Sequence, residues 1–304
     1  MSSSGTGPAI ETTGLTKTYS GVDALSDLSL TVQRGALYGF LGPNGAGKTT
    51  TIRLLMGFIK PTRGSSRMFG HDTWTDGVRA RSHVGYLVQS DSLFPELTGA
   101  DQLAFAARLS GSDAPLQRRL LDLLELSKAA LGRPLKTYSK GMRQKLALIA
   151  ATQHDPELLI LDEPTDGLDP LIQRAFEAHL LDCHAAGRTI FMSSHDLGEV
   201  DRLCERVAIV REGRLVQEES IEGLRAQHRR RAEILLARPL DASVVIPGAE
   251  VISRNGRALS LLVDHDPNEL LAFLGQWQVE SVTIAPPSLN DIFAGFYGSG
   301  PGPR

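Results

Sequence analysis

Eight consecutive residues, Gly42-Pro43-Asn44-Gly45-Ala46-Gly47-Lys48-Thr49, have the types and spacing of a loop that holds phosphate. Glycines let backbone N–H groups close around anionic oxygens, and a helix opening directly after the loop adds partial positive charge. In that setting Lys48 neutralises the β- and γ-phosphates of a nucleotide, and the Thr49 hydroxyl ligates Mg²⁺. The bland alternative is a Gly-rich turn with an exposed lysine, but the pattern sits between an apolar strand at 37–41 and a helix at 48–58. A second constellation, Leu158-Leu159-Ile160-Leu161-Asp162-Glu163-Pro164, is an apolar strand ending in two carboxylates. By itself it reads as a strand and a solvated turn. Paired with the phosphate loop, Asp162 suits the Mg²⁺ side and Glu163 can polarise the water that attacks the γ-phosphate. A third segment, Ser139-Lys140-Gly141-Met142-Arg143-Gln144, opens an apolar helix. Ser139 reads as its N-cap, and the same hydroxyl and helix N-terminus could hold a second nucleotide's γ-phosphate.

These residues need a scaffold that brings several strand ends together. Short apolar runs at 37–41, 84–88, 158–161, 189–192 and 207–211 alternate with helical patterns at 48–58, 142–152, 171–183 and 197–204. That alternation predicts an α/β domain with a substantially parallel sheet, which presents its ligands beyond the strand C-termini. After residue 220 the pattern changes. A short helix at 221–226 and an arginine cluster at 229–231 lead into strands at 233–237, 244–246, 258–263 and 279–284, with helices at 267–277 and 289–296. This predicts a small α+β domain over 221–297. Residues 1–8 and 298–304 read as disordered tails.

The chain has 304 residues, 41% hydrophobic and 22% charged, with 32 basic against 35 acidic side chains and a formal net charge of -3. That balance gives no support to wholesale nucleic-acid binding, and no nucleic-acid partner is expected. The N-terminus shows neither a basic nor an apolar leader segment, and the longest apolar runs are strand-sized, so any membrane role comes through a partner. Cys183 and Cys204 lack metal-ligand spacing and read as small hydrophobes.

The ordered set of motifs resembles the ATP-binding cassette (ABC) ATPases that energise membrane transporters. Gly42 to Thr49 matches the family's Walker A motif, Leu158 to Glu163 its Walker B, and Ser139 to Gln144 stands where the LSGGQ signature belongs. Tyr19 matches the aromatic that stacks on adenine, Gln89 the Q-loop glutamine, Asp166 to Asp169 the D-loop, and His195 in Ser193-Ser194-His195 the switch histidine. Singly, Tyr19, Gln89 and His195 would be bland loop residues. The resemblance covers about residues 9–220 and implies a P-loop cassette with a mixed sheet core and a helical subdomain near 90–155. It assigns nucleotide contacts to Tyr19, Gly42, Pro43, Asn44, Gly45, Ala46, Gly47, Lys48, Thr49, Thr50, Ser139, Gly141 and Asp169. It places Thr49, Gln89 and Asp162 at the metal, and Glu163, His195, Gln89 and Lys48 in catalysis.

Pro287-Ser288-Leu289-Asn290-Asp291-Ile292-Phe293 is similar to the PSLEDVF tail of bacterial drug-resistance and multidrug exporter ATPases. Two departures stand out: Tyr138-Ser139-Lys140-Gly141-Met142 replaces LSGGQ, and Val88 replaces the proline often found before Gln89. One Walker A and one signature imply a second cassette, with each ATP sandwiched between two. The absence of a span implies a separate integral membrane permease, docked in the groove beside Gln89 at the cytoplasmic face of the membrane. The expectation is an ATP-hydrolysing exporter subunit using ATP and Mg²⁺. An importer cassette shares the same chemistry. A non-transport cassette acting on nucleic acid or ribosomes is disfavoured, because Lys48 and Ser139 stand 91 residues apart without a long coiled coil between them.

Overall fold

The computed structural model describes residues 7–87, 90–241, 243–264 and 266–297. Contacts divide the chain into two compact units, Met1–Glu219 and Ser220–Arg304. Val88, Gln89, residues 1–6 and the tail 298–304 lie outside the described residues.

The first unit opens with two long strands absent from the sequence reading. β1 (Ile10–Tyr19) and β2 (Val22–Val32) form a hairpin whose turn residues Ser20 and Gly21 take φ of 48° and 85°. Positive φ at both positions gives the turn the twist a hairpin needs. The fully buried β3 (Leu37–Leu41) leads into the phosphate loop and α1 (Lys48–Leu55). β4 (Arg63–Met68) then pairs with β1, and β5 (His71–Asp72) with β4, to close an antiparallel sheet of order β2-β1-β4-β5. After α2 (Gly77–Arg81) and β6 (Val84–Tyr86) comes a helical segment of α3 (Gly99–Ser110), α4 (Gln117–Leu123), α5 (Lys128–Leu131) and α6 (Lys140–Thr152). A capping box between Thr98 and Asp101 starts α3.

The chain then alternates strictly: β7 (Leu158–Asp162), α7 (Pro170–Ala185), β8 (Thr189–Ser194), α8 (Leu197–Leu203), β9 (Arg206–Arg211) and β10 (Arg214–Ser220). The six-stranded sheet has the order β10-β9-β3-β8-β7-β6, and its pairs from β9 through β6 are parallel. β3, β7, β8 and β9 are buried on both faces and read as apolar runs rather than alternating ones, whereas the edge strand β10 is polar and partly exposed. One face shares a core with α1 and the antiparallel sheet, where Phe191 packs 5.3 Å from Phe40 and 5.9 Å from Tyr38 between ring centroids. Each large side chain sealed there contributes about 1.5–3 kcal/mol of hydrophobic stabilisation. The parallel register sets Leu41 beside Ser194 and Ser193 beside Asp162. The loops that leave β3, β7 and β8 therefore emerge side by side, where an open α/β sheet binds its ligand.

The second unit comprises α9 (Ile221–Ala226), β11 (Arg230–Leu236), β12 (Ala249–Asn255), β13 (Ala258–Val263), α10 (Asn268–Leu274), β14 (Val279–Ala285) and α11 (Leu289–Tyr297). Its sheet, β12-β13-β11-β14, is antiparallel throughout and shares a core with α10 through residues including Ile234, Leu261, Val263, Leu270 and Leu274. The strand expected at 244–246 is not one. Val245 is 83% exposed and Ile246 drops into the core from a loop. The strand lies further on, as β12, because the Gly256-Arg257 turn folds it back onto β13. The helix expected at 267–277 ends at Leu274, and that expected at 48–58 ends at Leu55. The Pro287 to Phe293 motif forms the start of α11: Asp291 N–H donates to the Ser288 hydroxyl at 3.2 Å, and that hydroxyl donates to the Asp291 carboxylate at 2.6 Å. The Arg231 guanidinium lies 3.3 Å from the same carboxylate. Arg229 is likewise paired, with Glu250.

Candidate active site

The phosphate loop is shaped by glycines whose places no side chain could take. At Gly47, φ is 103°, and a Cβ there would lie 2.7 Å from the Ala24 carbonyl oxygen. Gly42 approaches its neighbours as closely, since a Cβ would meet the Val210 carbonyl oxygen at 2.5 Å. The loop is tied to both sheets through one turn: Gly213 N–H donates to the Ala46 carbonyl at 3.1 Å, and the Gly213 carbonyl accepts from Ser26 N–H at 2.7 Å. Gly47 is the N-cap of α1 and supplies no capping side chain. The first N–H groups of the helix are thus left for an anion, which the macrodipole favours.

Lys48 is 6% exposed and its ammonium is held from two sides. It donates to the Gly42 carbonyl at 2.6 Å and lies 3.2 Å from Glu163 Oε1. Glu163 occupies the left-handed region at φ 51°, a conformation that costs a non-glycine residue on the order of 1 kcal/mol. Two bonds from its amide, to the Ser193 carbonyl and hydroxyl oxygens at 3.2 Å each, fix the chain there. The consequence is a carboxylate turned off the end of β7: Oε2 faces His195 Nδ1 at 2.5 Å and also accepts from His195 N–H at 3.3 Å. Beside it Thr49 donates its hydroxyl to Asp162 Oδ2 at 2.9 Å, and Ser193 donates to Oδ1 at 2.5 Å. The Thr49 and Asp162 oxygens are the hard donors that Mg²⁺ takes in partial sets completed by substrate phosphates. A cleft of about 410 Å³ is lined by Pro43, Asn44, Gly45, Gly47, Lys48, Thr49, Thr50, Glu163, Asp166 and His195, together with Ala24.

Tyr19, Ser139, Gly141 and Asp169 are not among the residues that line this cleft. Tyr19, at the β1 end of the hairpin, is 45% exposed, with Lys17 Nζ 5.0 Å from its ring centroid. Ser139 caps α6 by accepting from Met142 N–H at 3.2 Å, and Asp169 caps α7 by accepting from Ile172 N–H at 3.1 Å. A Cβ on Gly141 would sit 3.2 Å from the Gly167 carbonyl, so the start of α6 lies against the loop after Glu163. That contact is reinforced by the Lys140–Asp166 ion pair at 2.8 Å and by Gln144, which donates to the Pro164 carbonyl at 2.9 Å. Gln89 lies outside the described residues. Sequence reasoning passed over Ser193, which orients Asp162 and anchors Glu163, and Gly213. Ser193 had a signal in its place next to Ser194-His195, whereas nothing in the sequence marks a turn glycine as a brace for a distant loop.

The family profile described as "ABC transporter" matches residues 25–166, and that described as "ATP-binding protein DrrA1-3-like, C-terminal domain" matches residues 220–295. An uncharacterized ABC transporter ATP-binding protein, YhcH of Bacillus subtilis, is 33% identical over 93% of this chain and 94% of its own length. The daunorubicin/doxorubicin resistance ATP-binding protein DrrA of Streptomyces peucetius is 35% identical over 95% of this chain and 92% of its own. The bacitracin transport ATP-binding protein BcrA of Bacillus licheniformis is 37% identical over 75% of each. Among solved structures, an ATP-binding subunit of an ABC transporter aligns with a TM-score of 0.67 and 32% identity over 72% of this chain and 92% of its own. A dimeric ATP-binding cassette in a post-hydrolysis state with ADP and Pi shares the fold, with a TM-score of 0.62 at 23% identity over 70% of this chain and 98% of its own.

Proposed function

This chain belongs to the ATP-binding proteins of ABC transporters, and from that premise we propose that it is the ATP-hydrolysing subunit of an exporter. In this reading it works as a pair of cassettes coupled to a separate membrane subunit. The observation that carries the reading is the linked trio of Lys48, Glu163 and His195 beside the Thr49–Asp162 pair. Lys48 and the open N-terminus of α1 hold the β- and γ-phosphates. Glu163 orients the attacking water and takes its proton, and His195 Nδ1 holds that carboxylate in place. Thr49 and Asp162, with Gln89 by resemblance, would hold Mg²⁺, which neutralises phosphate charge when bound. Ser139 and Gly141, at the start of α6, complete the γ-phosphate contacts of the partner cassette, with Asp169 joining the two sites and Tyr19 stacking on adenine.

Export is favoured by the resistance and transport functions in the names of the DrrA and BcrA relatives and by the DrrA-like match over 220–295. Among the described residues no helix is long and apolar enough to cross a membrane. A groove of about 870 Å³, lined by exposed Phe58, Val78, Phe94, Phe105 and Leu109, supports docking of a membrane subunit and placement at the cytoplasmic face of the membrane. Residues 9–220 form the cassette in this reading and 221–297 an accessory domain.

Glu163→Gln tests the mechanism, because it keeps shape and hydrogen bonding while removing the base. ATP should bind and persist, and size-exclusion chromatography with ATP and Mg²⁺ should show a dimer that disappears when Ser139→Ala is added. Hydrolysis by Glu163→Gln at the wild-type rate would refute the assignment.

A further inference from the structure

Behind the cleft lies a buried carboxyl that none of these roles uses. Glu199, on α8, is 2% exposed. Its Oε2 accepts from the Ser194 hydroxyl at 2.7 Å, and the same Ser194 oxygen accepts from Asp196 N–H at 3.0 Å. Ser194 is itself buried and immediately precedes His195. On the other side the carboxyl interacts with the Thr165 side chain, two residues after Glu163, and the Thr165 carbonyl accepts from Gln173 of α7 at 3.2 Å. Oε1 is sealed from solvent without a hydrogen bond of normal geometry.

A carboxyl here leaves one oxygen unpaired in the interior while the other serves the buried Ser194 hydroxyl, so its burial is costly and its use is to hold that hydroxyl. Its charge is no asset either. Burial, and then the nearby Glu177 and Asp196 carboxylates, raise its pKa, while its hydrogen bond to Ser194 and its interaction with the Thr165 side chain oppose the rise. The guanidinium on the same helix, Arg202, is committed to Glu177 at 2.6 Å. What remains is geometry: one side chain bridges the loop leaving β7 and the loop leaving β8.

We propose that Glu199 is a positioning residue that locks the loop carrying His195 to the loop carrying Glu163, through Ser194 on one side and Thr165 on the other. It thereby sets the 2.5 Å contact between His195 and Glu163. The proposal rests on the reading of Glu163 as the group that activates water. A bridge of this kind acts on turnover and leaves nucleotide binding alone, since neither Ser194 nor Glu199 lines the phosphate cleft.

The test is steady-state ATPase measurement on the full chain, with ATP affinity and melting temperature recorded for every variant. Glu199→Ala should lower kcat by about 10- to 100-fold, the penalty of misplacing a reacting group by roughly an ångström. KM for ATP should stay within about threefold of wild type, as expected for an interaction felt in the transition state. Glu199→Gln keeps the shape and the acceptor for Ser194 and should restore kcat to within about threefold of wild type. Ser194→Ala should reproduce the loss, and the double variant Ser194→Ala with Glu199→Ala should be no slower than the worse single one. Ser194→Ala leaves little space behind and decides the matter if Glu199→Ala does not fold. Leu203→Ala, which opens a cavity under the last residue of α8, should lower the melting temperature and spare kcat. Wild-type kcat in Glu199→Ala overturns the proposal, as does equal loss of kcat in Leu203→Ala or failure of Glu199→Gln to restore turnover. Wild-type turnover in Glu163→Gln instead overturns the reading on which the proposal rests.

Discussion

Gly47→Ala should damage nucleotide binding and stability together, and Gly45→Ala provides its internal control. Both glycines have positive φ, 103° and 80°, but a Cβ on Gly45 meets nothing within 4 Å whereas one on Gly47 meets the Ala24 carbonyl oxygen at 2.7 Å. Backbone strain alone costs on the order of 1–3 kcal/mol at either position. At Gly47 the overlap adds about 1–3 kcal/mol, because the clashing atom is Cβ itself and no rotamer relieves it. The cassette unit should therefore melt roughly 2–4 °C lower for each kcal/mol lost, with Gly47→Ala clearly below Gly45→Ala. Relief requires the loop to move off β2, which also displaces the α1 N–H groups from their common focus. ATP affinity should fall by about 10- to 100-fold in Gly47→Ala, equivalent to about 1.4–2.8 kcal/mol. Differential scanning fluorimetry and isothermal titration calorimetry on the two variants measure these quantities. Equal melting temperatures and equal ATP affinities would refute the claim that close approach to Ala24 shapes the loop.

Lys48→Ala removes a buried ammonium that is the one lysine or arginine among the described residues lining the cleft, so ATP binding should weaken by about 2–5 kcal/mol and hydrolysis should cease. Turnover near wild type in the purified variant would remove Lys48 from the site. In the second unit Asp291 supplies a pH dependence of known sign. The Ser288 hydroxyl first, then the Ser288 N–H and the Arg231 guanidinium, hold its carboxyl below the ordinary value of 3.8. The unfolded chain therefore binds the proton first, and the stabilisation is complete at neutral pH and declines as pH falls from the unfolded value through the folded one. Chemical denaturation followed by Trp277 fluorescence should show Asp291→Asn less stable than wild type at pH 7, with the gap closing in acid. A gap that persists unchanged below pH 3 would contradict this assignment.

The parallel strands were legible because each is buried on both faces and so reads as an apolar run: β3 matches the expected 37–41, and β7 and β8 extend the expected 158–161 and 189–192 only to Asp162 and Ser194. The phosphate loop and the Asp162-Glu163 pair were legible because their chemistry demands particular residue types in adjacent positions. β1 and β2 were missed for a physical reason. Only one side of β1 is buried, it is rich in threonine, and register shifts after Thr12, Leu15 and Lys17 erase the alternation that marks a strand. Their turn, Ser20-Gly21, was the available signal. In the second unit the run Val244-Val245-Ile246 outweighed Asn255-Gly256, although an Asn-Gly pair is the stronger indicator of where a hairpin folds. Glu199 could not have been found in this way, since its importance comes from two loops that meet only in the folded chain.

The brace at Gly213 bears on where this chain can be engineered. A two-residue turn at the rim of a sheet is ordinarily a safe place to splice in a tag or reporter, because nothing else depends on its backbone. The Gly256-Arg257 turn comes nearer to that description: a Cβ on Gly256 meets open space, and the turn gives one backbone bond away, the Arg257 carbonyl accepting from Leu236 N–H at 2.9 Å. The Glu212-Gly213 turn is committed twice over at one residue, since both the N–H and the carbonyl of Gly213 are spoken for, one by Ala46 and the other by Ser26. A single residue added there would withdraw both bonds at once and unmoor the phosphate loop from the hairpin sheet. Two turns of equal length and similar composition thus differ in how much lengthening they can absorb, and the difference lies in which distant atoms use their backbone.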